Sequence, residues 1–286
     1  MLSGVGKTCA AIKIAEEWKN ISQHNNIEIK SVVCGGEFTV LLMADKNIIM
    51  KSDNDYLGNC IIPEKINKNV LSISCGVSHT VALLDNMTVQ IWGFNQSNIF
   101  KVPAKIQGKI KTIICGGFHT VAILQDGYVV SWGNNIYNQC VIPDIVHHNV
   151  KQIACGSHHN LALLTNGELI TWGCKDAGLY NVPIVFDCTI KQIFCGYTYS
   201  VALLENNKVI IWGDNSEGQC LVPKIDKIIK KISCGILHCV ALLEDNTVIS
   251  WGKTSKENMN LFNIKDIACG DFSTVVLYDN NTVKVF

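Results

Sequence analysis

Three groups of residues in this 286-residue chain have the types and spacing to do chemistry: a glycine–lysine–threonine run, a set of evenly spaced histidines, and fourteen cysteines. Gly4 to Thr8 read "GVGKT", the end of a phosphate-binding loop, in which backbone amides and the lysine would cradle a nucleotide. The full pattern wants a glycine where Met1 stands and a strand before it. The apparent acidic partner, Asp85 at the end of "VALLD", sits in a hairpin setting. The run "KTCAAIKIAEEW" reads better as a short amphipathic helix, so residues 1–16 are expected to form an N-terminal extension, helical or disordered.

His79, His119, His159 and His238 share one repeat position, which Phe38, Tyr199 and Ser273 fill elsewhere. A metal needs three or four ligands converging at once, and those replacements would break such a set. The expectation is a polar ring in which each histidine hydrogen-bonds a neighbouring turn. The cysteines give no C-x-x-C pair, and seven of them recur once per repeat at an equivalent position. Equivalent positions are expected to be held apart by the structure between them, so that they do not converge as tetrahedral ligands do and remain small buried thiols in a reducing compartment. No Ser/His/Asp set and no paired carboxylates stand out. The sequence therefore assigns no catalytic, cofactor or metal site, and the chain is expected not to be an enzyme.

Composition narrows the partners. Formal net charge is zero, 48% of residues are hydrophobic and 17% are charged, which describes a globular chain. The basic residues are all lysines. Without arginine the chain lacks the side chain best suited to bidentate recognition of phosphate or guanine, so nucleic acid is not an expected partner. The same bias, with abundant Ile, Asn and Lys, points to an AT-rich coding genome. No stretch approaches the ~20 apolar residues of a membrane span, and the first residues carry no apolar signal core. The expected location is intracellular, in cytoplasm or nucleus, and the expected state is monomeric.

The elements that must position these residues are written in a repeat. Cys-Gly begins at Cys34, Cys75, Cys115, Cys155, Cys195, Cys234 and Cys269; Trp-Gly follows at Trp92, Trp132, Trp172, Trp212 and Trp251. Pro63, Pro103, Pro143, Pro183 and Pro223 stand forty residues apart. Inside a unit, "VKQIAC" alternates, "VALL" is continuously apolar, and "ELITWG" alternates again, which is the pattern of three strands. "DN", "DG", "NG" and "NN" between the second and third runs are hairpin chemistry. A strand apolar on both faces must be covered on both sides, and stacking each small sheet between two neighbours achieves this. A fourth, outer strand is expected from the short "CVIP" type of segment, since an edge strand tolerates proline. Units of about forty residues, seven times over, make an all-β, seven-bladed β-propeller. The tryptophans are expected to be wedges between blades.

The pattern "V-x-x-I-x-C-G-x-x-H-T-x-A-L…G-x-V-x-x-W-G-x-N-x-x-G-Q" resembles the repeats of the regulator-of-chromosome-condensation family over about residues 30–286. "WGDNSEGQCLVP", Trp212 to Pro223, is similar to the compact form found in β-lactamase-inhibitor propellers. The resemblance implies a propeller that works on a protein partner. The family founder acts in nucleotide exchange on a small GTPase, using an inserted wedge that no unit here carries, and the compact propellers inhibit a partner enzyme. Exchange or other regulation of a small GTPase, and enzyme inhibition, are the alternatives to a simple binding scaffold.

Strand alternation puts the Cys-Gly turn and the loop after Trp-Gly on one face. The positions there that differ from unit to unit are Glu37, Phe94, Phe118, Tyr137, His158, Tyr197, Leu237 and Phe272, a candidate protein-binding surface. Asp126, Glu205, Glu244 and Asp245 at the hairpin turns make the opposite rim acidic. "WKNIS", Trp18 to Ser22, aligns with the outer segment of a unit. Residues near 17–23 are therefore expected to complete the C-terminal blade and close the ring, giving a propeller over 17–286. Two units depart from the pattern: Met50-Lys51-Ser52 replaces Trp-Gly in the first, and the linker after Trp251 is short and lacks the proline.

Overall fold

Seven three-stranded antiparallel sheets succeed one another along the chain. The structure is a computed structural model, and it describes residues 28–52, 60–66, 68–93, 101–183, 187–253 and 261–286. The first strands of blades 1 to 7 are Ile29–Cys34, Val70–Cys75, Ile110–Cys115, Val150–Cys155, Ile190–Cys195, Ile229–Cys234 and Ile264–Cys269. Each pairs with a middle strand and that with an outer one; in blade 4 these are His159–Leu164 and Leu169–Gly173. The hairpins follow from side-chain chemistry. In blade 3, Asp126 Oδ1 accepts the Tyr128 amide at 2.9 Å, and Gly127 takes φ 83°. Asn207 and Asn246 hold the same left-handed place in blades 5 and 6 at φ 70° and 60°.

Middle strands such as His159–Leu164 and His238–Leu243 are buried along their whole length. The reason is lateral stacking. Seven apolar clusters each straddle two consecutive blades, and one of them joins Ile29, Val32, Leu41 and Met43 of blade 1 to Ala268, Val275, Leu277 and Val283 of blade 7. Burying one such Leu or Val fully contributes about 1.5–3 kcal/mol. No blade could achieve that alone. Five of the clusters hold the repeat tryptophans, which are no more than 9% exposed.

The ring closes at its axis through the main chain. Gly36 N–H donates to Val77 O, Val77 to Gly117 O, Gly117 to Gly156 O, and Ser157 to Tyr197 O. Tyr197 then donates to Gly235 O, Ile236 to Asp271 O, and Asp271 back to Gly36 O at 3.1 Å. A continuous belt of seven backbone hydrogen bonds therefore encircles the channel. The Cys-Gly glycine is what lets neighbouring turns approach so closely. A Cβ on Gly116 would lie 2.2 Å from His119 Cε1 and 2.6 Å from Gly156 O.

Among the described residues the expected fourth strand is not formed. Residues 60–63, 140–143, 181–183 and 220–223 carry no strand. These segments have another task. The Gln139, Leu179 and Gln219 carbonyls just before three of them accept the indole N–H of Trp172, Trp212 and Trp251 in the next blade, at 3.0–3.1 Å. Those bonds hold the chain entering each segment against the next blade. Residues 1–16, the closing segment near 17–23 and the linker 254–260 lie outside the described residues.

Candidate protein-binding face

The geometry of one face follows from strand pairing. His159 pairs with Gly173 and Tyr199 with Gly213, so the Cys-Gly turn and the exit from Trp-Gly share an end of each blade. Backbone bonds tie the two loops together: Asn134 N–H to Phe118 O, Cys174 to His158 O, Asp214 to Thr198 O, and Lys253 to Leu237 O, at 2.8–3.0 Å. Trp-Gly needs its glycine for this, since Gly133, Gly173 and Gly213 take φ of 106–114°.

Below the face the repeat histidines are buried and bonded sideways. His79 Nε2 reaches Thr120 Oγ1 at 3.1 Å, His119 reaches Asn160 Oδ1 at 2.7 Å, His159 reaches Ser200 Oγ at 3.1 Å, and His238 reaches Thr274 Oγ1 at 3.1 Å. The expected polar ring is present, with partners on the next blade's middle strand and not in a turn. Asn160 Nδ2 donates to Gln139 O, which turns its Oδ1 to His119 and places the proton on His119 Nε2. Burial holds these imidazoles neutral: it lowers His79 and His159 to about 3 and His119 to about 4.

The seven Cys-Gly cysteines line one channel of about 200 Å³ together with the glycines and Val77, Ser157, Tyr197, Ile236 and Asp271. Residues forty apart in sequence meet there because a ring returns every unit to the same axis. Burial pushes the thiols of Cys34, Cys115 and Cys195 up to about 12, so they stay protonated. Among the described residues no group of three or more His, Cys, Asp or Glu is arranged to hold a metal ion.

On the face itself, three of the sequence-assigned residues come together across blades 3 and 4. The rings of Phe118 and His158 stack with centroids 5.1 Å apart, and Tyr137 meets His158 edge-on at 5.1 Å. Ser157 Oγ holds His158 Nδ1 at 2.7 Å. Tyr137 is 44% exposed, and Ile136 beside it is 77% exposed. The loop that carries them is pinned from beneath by Gln139, which is fully buried. Its Oε1 accepts the Tyr137 amide at 2.9 Å and its Nε2 donates to Asn134 Oδ1 at 3.1 Å. Gln219 repeats this with Glu217 and Asp214 in the corresponding loop after blade 5. The repeat glutamine reads in the sequence only as a repeat mark, Gly218-Gln219 in one loop and Asn138-Gln139 in the other, so this role was missed, along with Ile136.

The remaining assigned residues do not join that cluster. Glu37 and Phe272 are exposed at the seam of blades 1 and 7. Beside them Asp271, which sequence reasoning passed over, has its carboxyl raised to about 6 by burial and then by the Glu37 charge. Leu237 is half-buried on blade 6. Tyr197 stands one position nearer the Cys-Gly pair than its supposed equivalents and lines the channel mouth. Phe94 lies outside the described residues. On the opposite rim Asp126, Glu205, Glu244 and Asp245 are exposed, with Asp245 paired to Lys227.

Residues 110–139, 150–178, 190–219 and 229–256 match the model of the regulator of chromosome condensation (RCC1) repeat. Four of the seven blades are RCC1 repeats. The RCC1-type match covers blades 3 to 6, and blades 1, 2 and 7 have the same three-stranded form. Among solved structures, the ectodomain of the receptor kinase CR4 from Physcomitrella patens superposes with a TM-score of 0.72 at 20% identity, over 89% of this chain and 71% of that one. The ectodomain of Arabidopsis thaliana ACR4 gives 0.70 at 16% identity, over 88% and 92%. Yeast RCC1 (Prp20), crystallised bound to Kap60, gives 0.67 at 19% identity, over 83% and 72%. At such identities the likeness establishes the RCC1-type fold alone. A sequence search of curated proteins finds no match.

Proposed function

We propose that this RCC1-repeat propeller is a non-enzymatic binding module that grips a partner protein with its Cys-Gly face. The observation that carries the reading is the Phe118–His158–Tyr137 cluster beside exposed Ile136, on a loop fixed by buried Gln139. Aromatic side chains with few rotatable bonds, held in place before contact, bind at small entropic cost. An intracellular, reducing setting is part of the proposal, supported by the thirteen free cysteines among the described residues.

The experiment compares partner capture by the wild-type chain, a Phe118→Ala/Tyr137→Ala double variant, and an opposite-rim Asp126→Ala variant, with melting temperatures as a folding control. Capture lost in the double variant and kept in the rim variant is expected. Equal capture by all three, or loss only at the rim, overturns the reading. A second reading, regulation of a small GTPase, draws on the likeness to Prp20p, whose solved structure is described with its binding to Gsp1p and histones. Accelerated release of labelled guanine nucleotide from a small GTPase would move the proposal there. Inhibition of a captured enzyme would move it to the third alternative.

A further inference from the structure

Six blades place a hydroxyl or amide opposite the Cys-Gly cysteine, and one does not. Cys34, Cys75, Cys115, Cys155, Cys195 and Cys269 face Thr39, Thr80, Thr120, Asn160, Ser200 and Thr274 across the strand pair. Where these contacts involve a hydroxyl, sulfur and oxygen stand 3.8–4.0 Å apart in four blades. In blade 6 the facing residue is Cys239, and its Sγ lies 3.1 Å from that of Cys234.

The backbone favours a bond between them. Gly235 N–H donates to His238 O at 2.8 Å, so Cys234 and Cys239, one step further out, form the non-hydrogen-bonded pair in which facing side chains stand closest. The Cα separation of such a pair, about 4.5 Å, falls within the range that a disulfide spans. Access differs between the two. Cys234 lines the channel of about 200 Å³, whereas Cys239 is fully buried. Tyr199, which replaces the repeat histidine in blade 5, receives the Cys239 thiol at 3.3 Å and donates its own hydroxyl toward Gly235 O and His238 O. The loss of the Cys239 S–H thus leaves Tyr199 bonded.

We propose that Cys234 and Cys239 are an oxidisable dithiol that closes to a cross-strand disulfide on the channel wall, fixing the turn that carries Ile236 and Leu237. With hydrogen peroxide as oxidant, Cys234 sulfur attacks one peroxide oxygen. The O–O bond breaks, one water leaves, and a sulfenic acid remains. Cys239 sulfur then attacks the Cys234 sulfur, the S–O bond breaks, and a second water leaves. Two thiols and one peroxide become one disulfide and two waters. Burial first, and then the Cys239 neighbour, hold the Cys234 proton on, so closure is slow at neutral pH and quickens as pH rises.

The test uses the full chain, reduced, exposed to hydrogen peroxide, alkylated and digested with trypsin. The peptide of residues 232–253 contains both thiols and is expected to lose two hydrogens and escape alkylation. The melting temperature of the oxidised chain is expected to rise by about 2–5 °C and to fall back with dithiothreitol. A Cys239→Thr variant restores the residue that other blades use; it is expected to melt like the reduced wild type and show neither change. The proposal is overturned if that peptide stays fully alkylated while peroxide oxidises a reference dithiol peptide in the same tube. It is equally overturned if Cys239→Thr shows the same peroxide-induced shift.

Discussion

Acid should unfasten the propeller through its histidines, and the size of the effect can be worked from their burial. His79 and His159 are held near pKa 3 and His119 near 4, against an ordinary value of 6.5, because burial disfavours the charged imidazolium. The unfolded chain takes up these protons below pH 6.5 and the folded chain does not until about pH 3–4. Their contribution is therefore fully present above pH 6.5 and is lost as pH falls through that window. At pH 5 an unfolded histidine favours its protonated form by about thirty-fold, which is on the order of 2 kcal/mol for each of the three. The sum, about 6 kcal/mol, rivals the whole stability of an ordinary domain. The perturbation is His159→Phe, since Phe38 fills the same repeat place in blade 1. The variant forfeits the bond to Ser200 and is expected to lose about 1 kcal/mol at pH 8. The assay is urea unfolding of both proteins at pH 8 and pH 5. Between the two pH values the wild type should lose about 2 kcal/mol more than the variant. An identical loss in both would refute the claim that His159 stays neutral in the fold.

Further outcomes follow from single contacts. Trp172→Ala is expected to cost about 3–5 kcal/mol by urea titration, nearly all of it from the cavity between blades 3 and 4. The Gln139 carbonyl keeps the Asn160 amide as a partner when the indole goes. Gly116→Ala drives a methyl into His119 and Gly156 and should destabilise by at least about 2 kcal/mol. Gly108→Ala meets no atom within 4 Å and bears only its φ of 78°, so its melting temperature should fall less. Asp271 has its carboxyl raised to about 6 from an ordinary 3.8, so its ionisation costs stability as pH rises through that window. Asp271→Asn should melt higher than wild type at pH 7.5, and that advantage should vanish at pH 4.

The repeat was legible because the blade is a local object. Its alternation, its Asx-type hairpins and its single tryptophan all lie within forty residues, and the number of blades is a count of Cys-Gly pairs. What belongs to the ring was not legible. The belt from Gly36 to Asp271 is made of main chain, which has no letter in the sequence. The Cys-Gly cysteines share one axial channel for a reason that adjacent repeats cannot reveal. The proline segments looked like edge strands by composition, yet the Gln139 and Gln219 carbonyls before two of them serve the next blade's indole. On the face, Phe118, His158 and Tyr137 gather because blades 3 and 4 are neighbours. Tyr197 was misplaced by a single position, enough to move it from the loop rim to the channel mouth. Cys239 carried a readable signal, a cysteine where other units write threonine, serine or asparagine.

Closure of seven blades into one ring is tested most directly by amide hydrogen exchange at the axis. The amides of Gly36, Val77, Gly117, Ser157, Tyr197, Ile236 and Asp271 all donate within the belt. They should exchange together, and only through global unfolding. Rapid exchange at Gly36 and Asp271, with the other five still protected, would mean that the seam between blades 7 and 1 stands open.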